Sequence, residues 1–327
     1  MKAAPEVTCI GEVLVDFVSL TSGVSLMEAA RFQKYAGGAP ANVAVGLARL
    51  GTRAAFVGTV GRDSFGRFLS AELHREGVDV RGLRFDKEHR TRLAFVSLKK
   101  SGDRDFEFWE KHPADEQLRL SEAEIDRIAL SKVVHISSFL LLAEPARSTA
   151  LRIAREMRRR GCDVSFDPNL RLSLWKSERG AKHLLLRLVE HTSILRLNEE
   201  EAQFLTGTRD VETAAEKLLT LGPSLVVATL GSRGCYFQSA NRSALVRGYK
   251  VKVVDTTGCG DGFLAGLLHG FVQTEKKLPE FSVRDLESIC RCANAVGALT
   301  ATRRGAVSAL PDSSEVTRFL RTQSKVK

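Results

Sequence analysis

The segment richest in chemistry is Asp255-Thr256-Thr257-Gly258-Cys259-Gly260-Asp261-Gly262-Phe263. It follows the strand-like Lys250–Val254 and opens an amphipathic helix. Glycines at a strand-to-helix junction let the backbone approach a ligand closely. The unbonded N–H groups of the first helical turn then point at an anion, which the helix dipole also favours. Such a hole suits a phosphoryl group, whose equatorial oxygens carry the charge of transfer. Asp261 stands at its edge, where a carboxylate could take the proton of an attacking hydroxyl. Read without function, the same residue is an N-cap of a structural helix. Gly258, Gly260, Gly262 and Gly266 also resemble a relaxed dinucleotide fingerprint. However, Phe263 stands where GxGxxG needs glycine, and no acidic residue ends a second strand about 20 residues on. No GxxxxGK[ST] occurs, which excludes a P-loop.

Four further segments carry polar groups at element ends. Gly37-Gly38-Ala39-Pro40-Ala41-Asn42 precedes a helix, and Asn42 offers donors and an acceptor for hydroxyls; the plain alternative is a helix entry. Asn198-Glu199-Glu200-Glu201 lies at a strand-to-helix junction. It reads either as a capping box or as amide and carboxylate oxygens for Mg²⁺ reached through water. Asp167-Pro168-Asn169-Leu170-Arg171 follows a strand, at the edge where open α/β sheets place ligands. Asp16, between Val15 and Phe17, points to solvent on its own evidence or binds sugar hydroxyls. The seven histidines show no metal spacing, and no GxSxG marks a nucleophile elbow.

The elements that must position these groups alternate. Short apolar strands are expected at Val7–Ile10, Val13–Val18, Ala54–Val60, Lys132–Ser137, Asp163–Phe166, Thr192–Leu197 and Leu225–Leu230. Helices are expected over 40–50, from Asp63 to before Gly77, and over 144–160, 199–205, 211–221, 260–272 and 284–301. This alternation predicts a mostly parallel sheet between helical layers. One stretch breaks it: strands Thr91–Lys99 and Arg104–Trp109 around a Ser101-Gly102-Asp103 turn form a hairpin, so the early strands and this hairpin read as a small β-rich appendage. The tail after Pro311 is polar and reads as frayed.

The 327 residues, 43% hydrophobic and 27% charged, fit a soluble globular chain and exclude a collagen-like or wholly disordered one. No apolar run reaches the roughly 18–20 residues of a membrane span, and Met1–Val7 lacks a signal-peptide pattern, so the cytoplasm is the expected compartment. The six cysteines include no CxxC and read as buried thiols. The formal charge is +10, and its densest run, Arg158-Arg159-Arg160, ends a helix where cations suit the dipole. A solvated face is preferred there over a nucleic-acid patch, since no nucleic-acid module signature appears.

Taken together the segments resemble the ribokinase-like (PfkB) sugar kinases, and among them the fructokinases. GGAPANVAVGLARLG (Gly37–Gly51) resembles the first family signature and DTTGCGDGFLAGLL (Asp255–Leu268) the second. GEVLVDFV, DPNLRLSLW, LNEEEAQFLTG and TRRGAVSALP stand in the family's order over essentially the whole chain. The resemblance implies a ribokinase-like three-layer α/β/α sandwich with a mostly parallel sheet and a small β-sheet lid. It implies a single domain over 1–327 with lid segments near 12–36 and 88–112. Asp261 would be the base, and Gly258, Cys259 and Gly260 the anion hole. Asp16, Gly38, Asn42, Asn169 and Arg171 would face the sugar; Arg92, like Arg171, could supply charge to an acidic one. Asn198, Thr229, Gly231, Ser232 and Asn294 would hold ATP, with Glu201 on Mg²⁺ through water. Backbone carbonyls of Asp255, Thr257, Thr300, Arg303 and Gly305 would hold a monovalent cation, K⁺, in members that use one. A homodimer is the expected assembly, with no nucleic-acid or membrane partner. Cys259 and Gly262 depart from the residues usual at those positions, commonly Ala, and Ala, Ser or Thr.

The resemblance leaves a catalytically silent scaffold as an alternative, against which the intact Asp261 argues. The rival substrate is 2-keto-3-deoxygluconate, a carboxylate needing charged or hydroxyl partners. Of three tyrosines, Tyr35, Tyr236 and Tyr249, none lies in the hairpin, whose aromatics are Phe106, Phe108 and Trp109. Such a lid favours neutral D-fructose. The segments TRLAFVSL and HPADEQL also look like fructokinases.

Overall fold

The computed structural model describes residues 3–21, 23–98 and 104–324. The chain begins with β1 (Val7–Ile10), β2 (Leu14–Ser19), β3 (Phe32–Gly37), α1 (Ala39–Arg49), β4 (Ala54–Gly61), α2 (Ser64–Arg75) and β5 (Asp79–Asp86). It continues through β6 (Leu93–Leu98), β7 (Arg104–Phe108), α3 (Glu122–Ile128), β8 (Val133–Ser137), α4 (Ala146–Arg159), β9 (Asp163–Asp167) and α5 (Glu178–Val189). Then come β10 (Ile194–Asn198), α6 (Glu199–Thr206), α7 (Val211–Leu219), β11 (Leu225–Thr229), β12 (Gly234–Ser239), β13 (Arg242–Arg247), α8 (Cys259–Val272), α9 (Val283–Thr300) and α10 (Ser313–Ser324).

Nine strands form one sheet in the order β13-β12-β11-β10-β9-β8-β1-β4-β5. It is parallel from β11 to β5, and the β12–β13 hairpin closes one edge antiparallel. Its apolar residues alternate between two cores, as the strand period of two requires. On β8, Val133 packs toward α1, α8 and α9, while Val134 packs toward α3, α4 and α5. This is the three-layer arrangement the alternation predicted. Helix starts follow local chemistry: Asp63 caps α2 by accepting from Gly66 N–H, and Asn198 and Glu201 form a capping box on α6.

A second sheet of four strands, β3-β2-β6-β7, stands apart from the first. Its β6–β7 pair is the expected hairpin; the turn at 101–103, with Lys99, lies outside the described residues. β1 belongs to the large sheet, so of the two early strands expected from the sequence only β2 joins the small one, together with β3.

Several elements differ from expectation. Residues 250–254 form no strand, and Val253 and Val254 are exposed. The strand-like composition there serves a connection, because β12 and β13 already close that edge. α8 is buried nearly all round, from Gly262 to Val272, rather than amphipathic, because α1 and α9 flank it. The polar tail is α10, whose Val316 and Phe319 face the core, with Phe319 edge-on to Tyr249. β3, β5, β12, β13, α3 and α5 had no counterpart in the sequence reading. β5 interleaves Arg81, Gly82 and Arg84 with its apolar residues and so resembles a loop.

Candidate active site

The carboxyl ends of the parallel strands converge on the first turn of α8. Ser137 ends β8, Asp167 ends β9, Asn198 ends β10 and Thr229 ends β11, and the register aligns Ser137 with Asp167 and Asn198 with Thr229. This edge is where an open α/β sheet leaves a crevice.

α8 starts at Cys259, and its N-cap is Gly258 at φ 73°, a left-handed conformation that glycine adopts without strain. Asp261 therefore lies inside the first turn and is not the cap. Its carboxylate accepts a 2.7 Å hydrogen bond from Asn42 Nδ2 on α1, while Asn42 Oδ1 is buried without a partner. Part of Asp261 is exposed, but its carboxyl is enclosed. Burial pushes that carboxyl up to about 6; the Asn42 bond opposes the rise, nearby Asp167 adds to it, and Arg196 and Arg171 counter it. A carboxyl there is neutral in mild acid and a ready base near neutrality.

Arg196, which sequence reasoning passed over, sits at the centre. It is 8% exposed, donates from Nη1 to Asp167 Oδ2 at 2.7 Å and from Nη2 to Thr229 Oγ1 at 2.7 Å, and its Nε has no partner. A methyl group on Gly260 would lie 2.9 Å from Nη1, so the guanidinium rests directly on the first turn of α8. Burial opposes its charge, but Asp167 and Glu201 hold it firmly protonated. The signal was available: one arginine inside the apolar strand Ile-Leu-Arg-Leu-Asn, two residues before Asn198. Asp167 was visible only as part of its motif.

Glu201 is 5% exposed. Its two oxygens accept backbone N–H groups of Leu170 and Asn198, both at 2.8 Å. Burial, then Asp167, raises its carboxyl above the usual range. No group of three or more His, Cys, Asp or Glu among the described residues is arranged to hold a metal. This donor set fits a divalent ion carried on phosphates and reached through water, rather than one caged by protein.

Asn169 has a left-handed backbone (φ 37°) and its N–H bonds Asp167 Oδ1 at 3.0 Å. Arg171 is exposed beside it and acts on Asp261 electrostatically. Gly231 and Ser232 lie exposed in the turn after β11. Asn294, 7% exposed on α9, donates to the carbonyls of Val246 and Arg247 at the end of β13. The Asp255 carboxylate bonds Thr257 N–H, Thr257 hydroxyl and Gly305 N–H, tying the approach to α8 to the loop after α9. In that loop Arg303 N–H bonds the Thr300 carbonyl at 3.3 Å.

On the small-sheet side, Gly38 (φ 104°) must be glycine, since a methyl would meet the Glu12 carbonyl oxygen at 2.6 Å. The Asp16 carboxylate lies over Gly37, where a methyl would meet it at 2.2 Å; it is half-buried, not the solvent-pointing side chain that its own evidence favoured. Tyr35 stands directly opposite Asp16 across β2–β3, so the small sheet does hold a tyrosine, on a strand the sequence did not reveal. Arg92, 4% exposed, is held by Asp115 and Glu116, with Nη2 2.9 Å from Asp115 and 3.1 Å from Glu116. The charge expected to face a ligand is engaged by these two carboxylates.

The family model for pfkB family carbohydrate kinases matches residues 4–313. A rice protein, Fructokinase-1, is 43% identical over 315 residues, covering 96% of this chain and 97% of the relative. A fructokinase from Vibrio cholerae O395, solved with fructose, ADP and calcium ion bound, superposes with a TM-score of 0.86 at 36% identity, covering 96% of this chain and 98% of the other. A fructokinase from Xylella fastidiosa with bound ATP gives 0.88 at 30% identity, covering 97% and 98%.

Proposed function

The chain belongs to the pfkB family of carbohydrate kinases, and from that premise we propose that it transfers the γ-phosphoryl group of ATP to a hydroxyl of D-fructose, giving fructose 6-phosphate. The observation that carries this reading is the Asp261–Asn42 hydrogen bond at the N-terminus of α8. It joins a carboxylate base, a glycine-built anion hole and the Gly38–Asn42 loop in one place.

Asp261 takes the hydroxyl proton as the oxygen attacks phosphorus. The N–H groups of the Gly258–Cys259–Gly260 turn receive the charge on the transferring oxygens. Arg196, resting on Gly260, adds a fixed positive charge beside them. Asp16, Gly38, Asn42, Asn169 and Arg171 hold the sugar. Asn198, Thr229, Gly231, Ser232 and Asn294 line the nucleotide side. Mg²⁺ on the phosphates would be held through water by Glu201 and would neutralise charge during transfer. Carbonyls of Asp255, Thr257, Thr300, Arg303 and Gly305 are the candidate ligands of a monovalent cation, in two loops that the Asp255 carboxylate brings together.

We read residues 1–327 as one kinase domain, with the four-stranded sheet (segments 12–36 and 88–112) as a lid on the sugar. Small-molecule sugar and nucleotide are the partners, rather than nucleic acid or membrane. No helix among the described residues is long and apolar enough to cross a membrane. Cytoplasmic location is supported by six cysteines that form no disulfide. A homodimer is supported by exposed aromatic surface on the small sheet, Trp109 at 64% above all.

The test compares kcat/KM for D-fructose and 2-keto-3-deoxygluconate with MgATP. Fructose should be the better substrate. A higher value for the acid would overturn the sugar assignment, and no phosphorylation of any sugar by folded protein would overturn the kinase reading.

A further inference from the structure

The chain crosses from β1 to β2 through Gly11, Glu12 and Val13, and this crossing is wedged among its neighbours. A methyl on Gly11 would meet Ser137 Cβ at 2.5 Å and Pro40 Cγ at 2.6 Å. Glu12 sits inside the wedge at 1% exposure. Its Oε1 accepts the N–H of Ala39, first residue of α1, at 3.0 Å, and its Oε2 accepts the hydroxyl of Ser137, last residue of β8, at 2.5 Å. Burial pushes this carboxyl up to about 7 and Asp115 adds to the rise, while the Ser137 and Ala39 bonds oppose it. Burying a carboxylate is costly, and nothing in the transfer chemistry above uses this one.

A helix start is ordinarily satisfied by its own N-cap side chain. On α1 that position is Gly38, which has none and cannot gain one, because the Glu12 carbonyl fills the space. The cap therefore comes from a carboxylate 27 residues earlier in the chain. The bonds lead on in both directions. Three residues past Ala39, Asn42 bonds Asp261. Ser137 pairs in register with Asp167, which holds Arg196.

We infer that Glu12 is a positioning residue for the sugar side of the site: its carboxylate clamps the first turn of α1 to the end of β8, fixing Gly38 and Asn42 where the sugar meets them. The inference rests on the assignment of Gly38 and Asn42 to the sugar.

The experiment measures KM for fructose, KM for ATP, kcat and Tm in wild type, Glu12→Ala and Glu12→Gln. Leaving the Ala39 N–H and the buried Ser137 hydroxyl without their acceptor should raise the fructose KM of Glu12→Ala about tenfold or more. KM for ATP should stay within about twofold. Glu12→Gln keeps an acceptor for Ala39 and offers its amide to the Ser137 oxygen, so it should recover most of the loss. If Glu12→Ala does not fold, Glu12→Asp carries the same test, since the shorter carboxylate cannot reach both donors. An unchanged fructose KM in a folded Ala or Asp variant overturns the inference, as does a loss shared equally between the two substrates. A wild type inert on fructose defeats the sugar assignment instead, and the variant-to-wild-type ratios are then read on 2-keto-3-deoxygluconate.

Discussion

Two side chains divide the electrostatic work at the site. Asp261 is held up to about 6 by burial, so it is protonated in acid and ionised above that range. A base must be ionised to act, so kcat should fall as pH drops through about 6 and level off above it. Asp261→Asn should fold normally and lose roughly 10²–10⁴-fold in kcat, the usual loss on removing a general base. Near-normal turnover by the folded variant would remove Asp261 from the mechanism. Arg196 poses the complementary case. Arg196→Leu would leave Asp167 buried opposite an uncharged chain, and breaking a buried pair costs about 3–5 kcal/mol. Scanning calorimetry should show a Tm lower by several degrees, together with loss of turnover. A variant as stable as wild type would mean that Asp167 finds another partner.

The segments that cross between the two sheets constrain how the small sheet can move. One crossing is wedged at Gly11–Glu12; another is pinned where the Asp63 carboxylate bonds Thr91 N–H and hydroxyl. Between such anchors β6 is buried at Ala94 and Ser97 and Phe108 of β7 meets Phe139 edge-on, while Phe106 stays 44% exposed. Closure over sugar would shield the site from water, a competing acceptor of the phosphoryl group. Hydrogen exchange in β6 and β7 should therefore slow when fructose is added at saturation. Unchanged exchange with sugar bound would make the small sheet a fixed wall and not a lid.

The molecule carries a formal charge of +10. Even its densest run is locally partnered: Arg158 donates to Ser193, Arg159 pairs with Glu156, and Arg160 with Asp126. Exposed apolar side chains are scattered over the molecule, and one group of them lies on the small sheet. On the small sheet Phe17, Phe32 and Trp109 all contact the Phe95 ring, while Trp109 and Leu20 stay largely exposed. A second copy covering this face would remove it from water. Sedimentation equilibrium at micromolar concentration should give twice 35.9 kDa, shifting toward monomer for Trp109→Ser. A wild-type monomer under those conditions would overturn the dimer.

Local sequence determined what local physics fixes. The alternation of short apolar strands and helices specified the layered sheet, and glycine-rich helix entries marked both faces of the site, because periodicity, caps and turns depend on near neighbours. Strands β3 and β5 were illegible, since both lie at sheet edges and their polar and charged residues break the apolar alternation. Long-range contact alone decided the rest. Arg196 became central only when β10 brought it beside Asp167 and against Gly260. Arg92 was drawn to Asp115 and Glu116, and Glu12 became the cap of a helix 27 residues away. A charge in a sequence carries no address; its partner is set by which strand ends converge, and burial then fixes its strength.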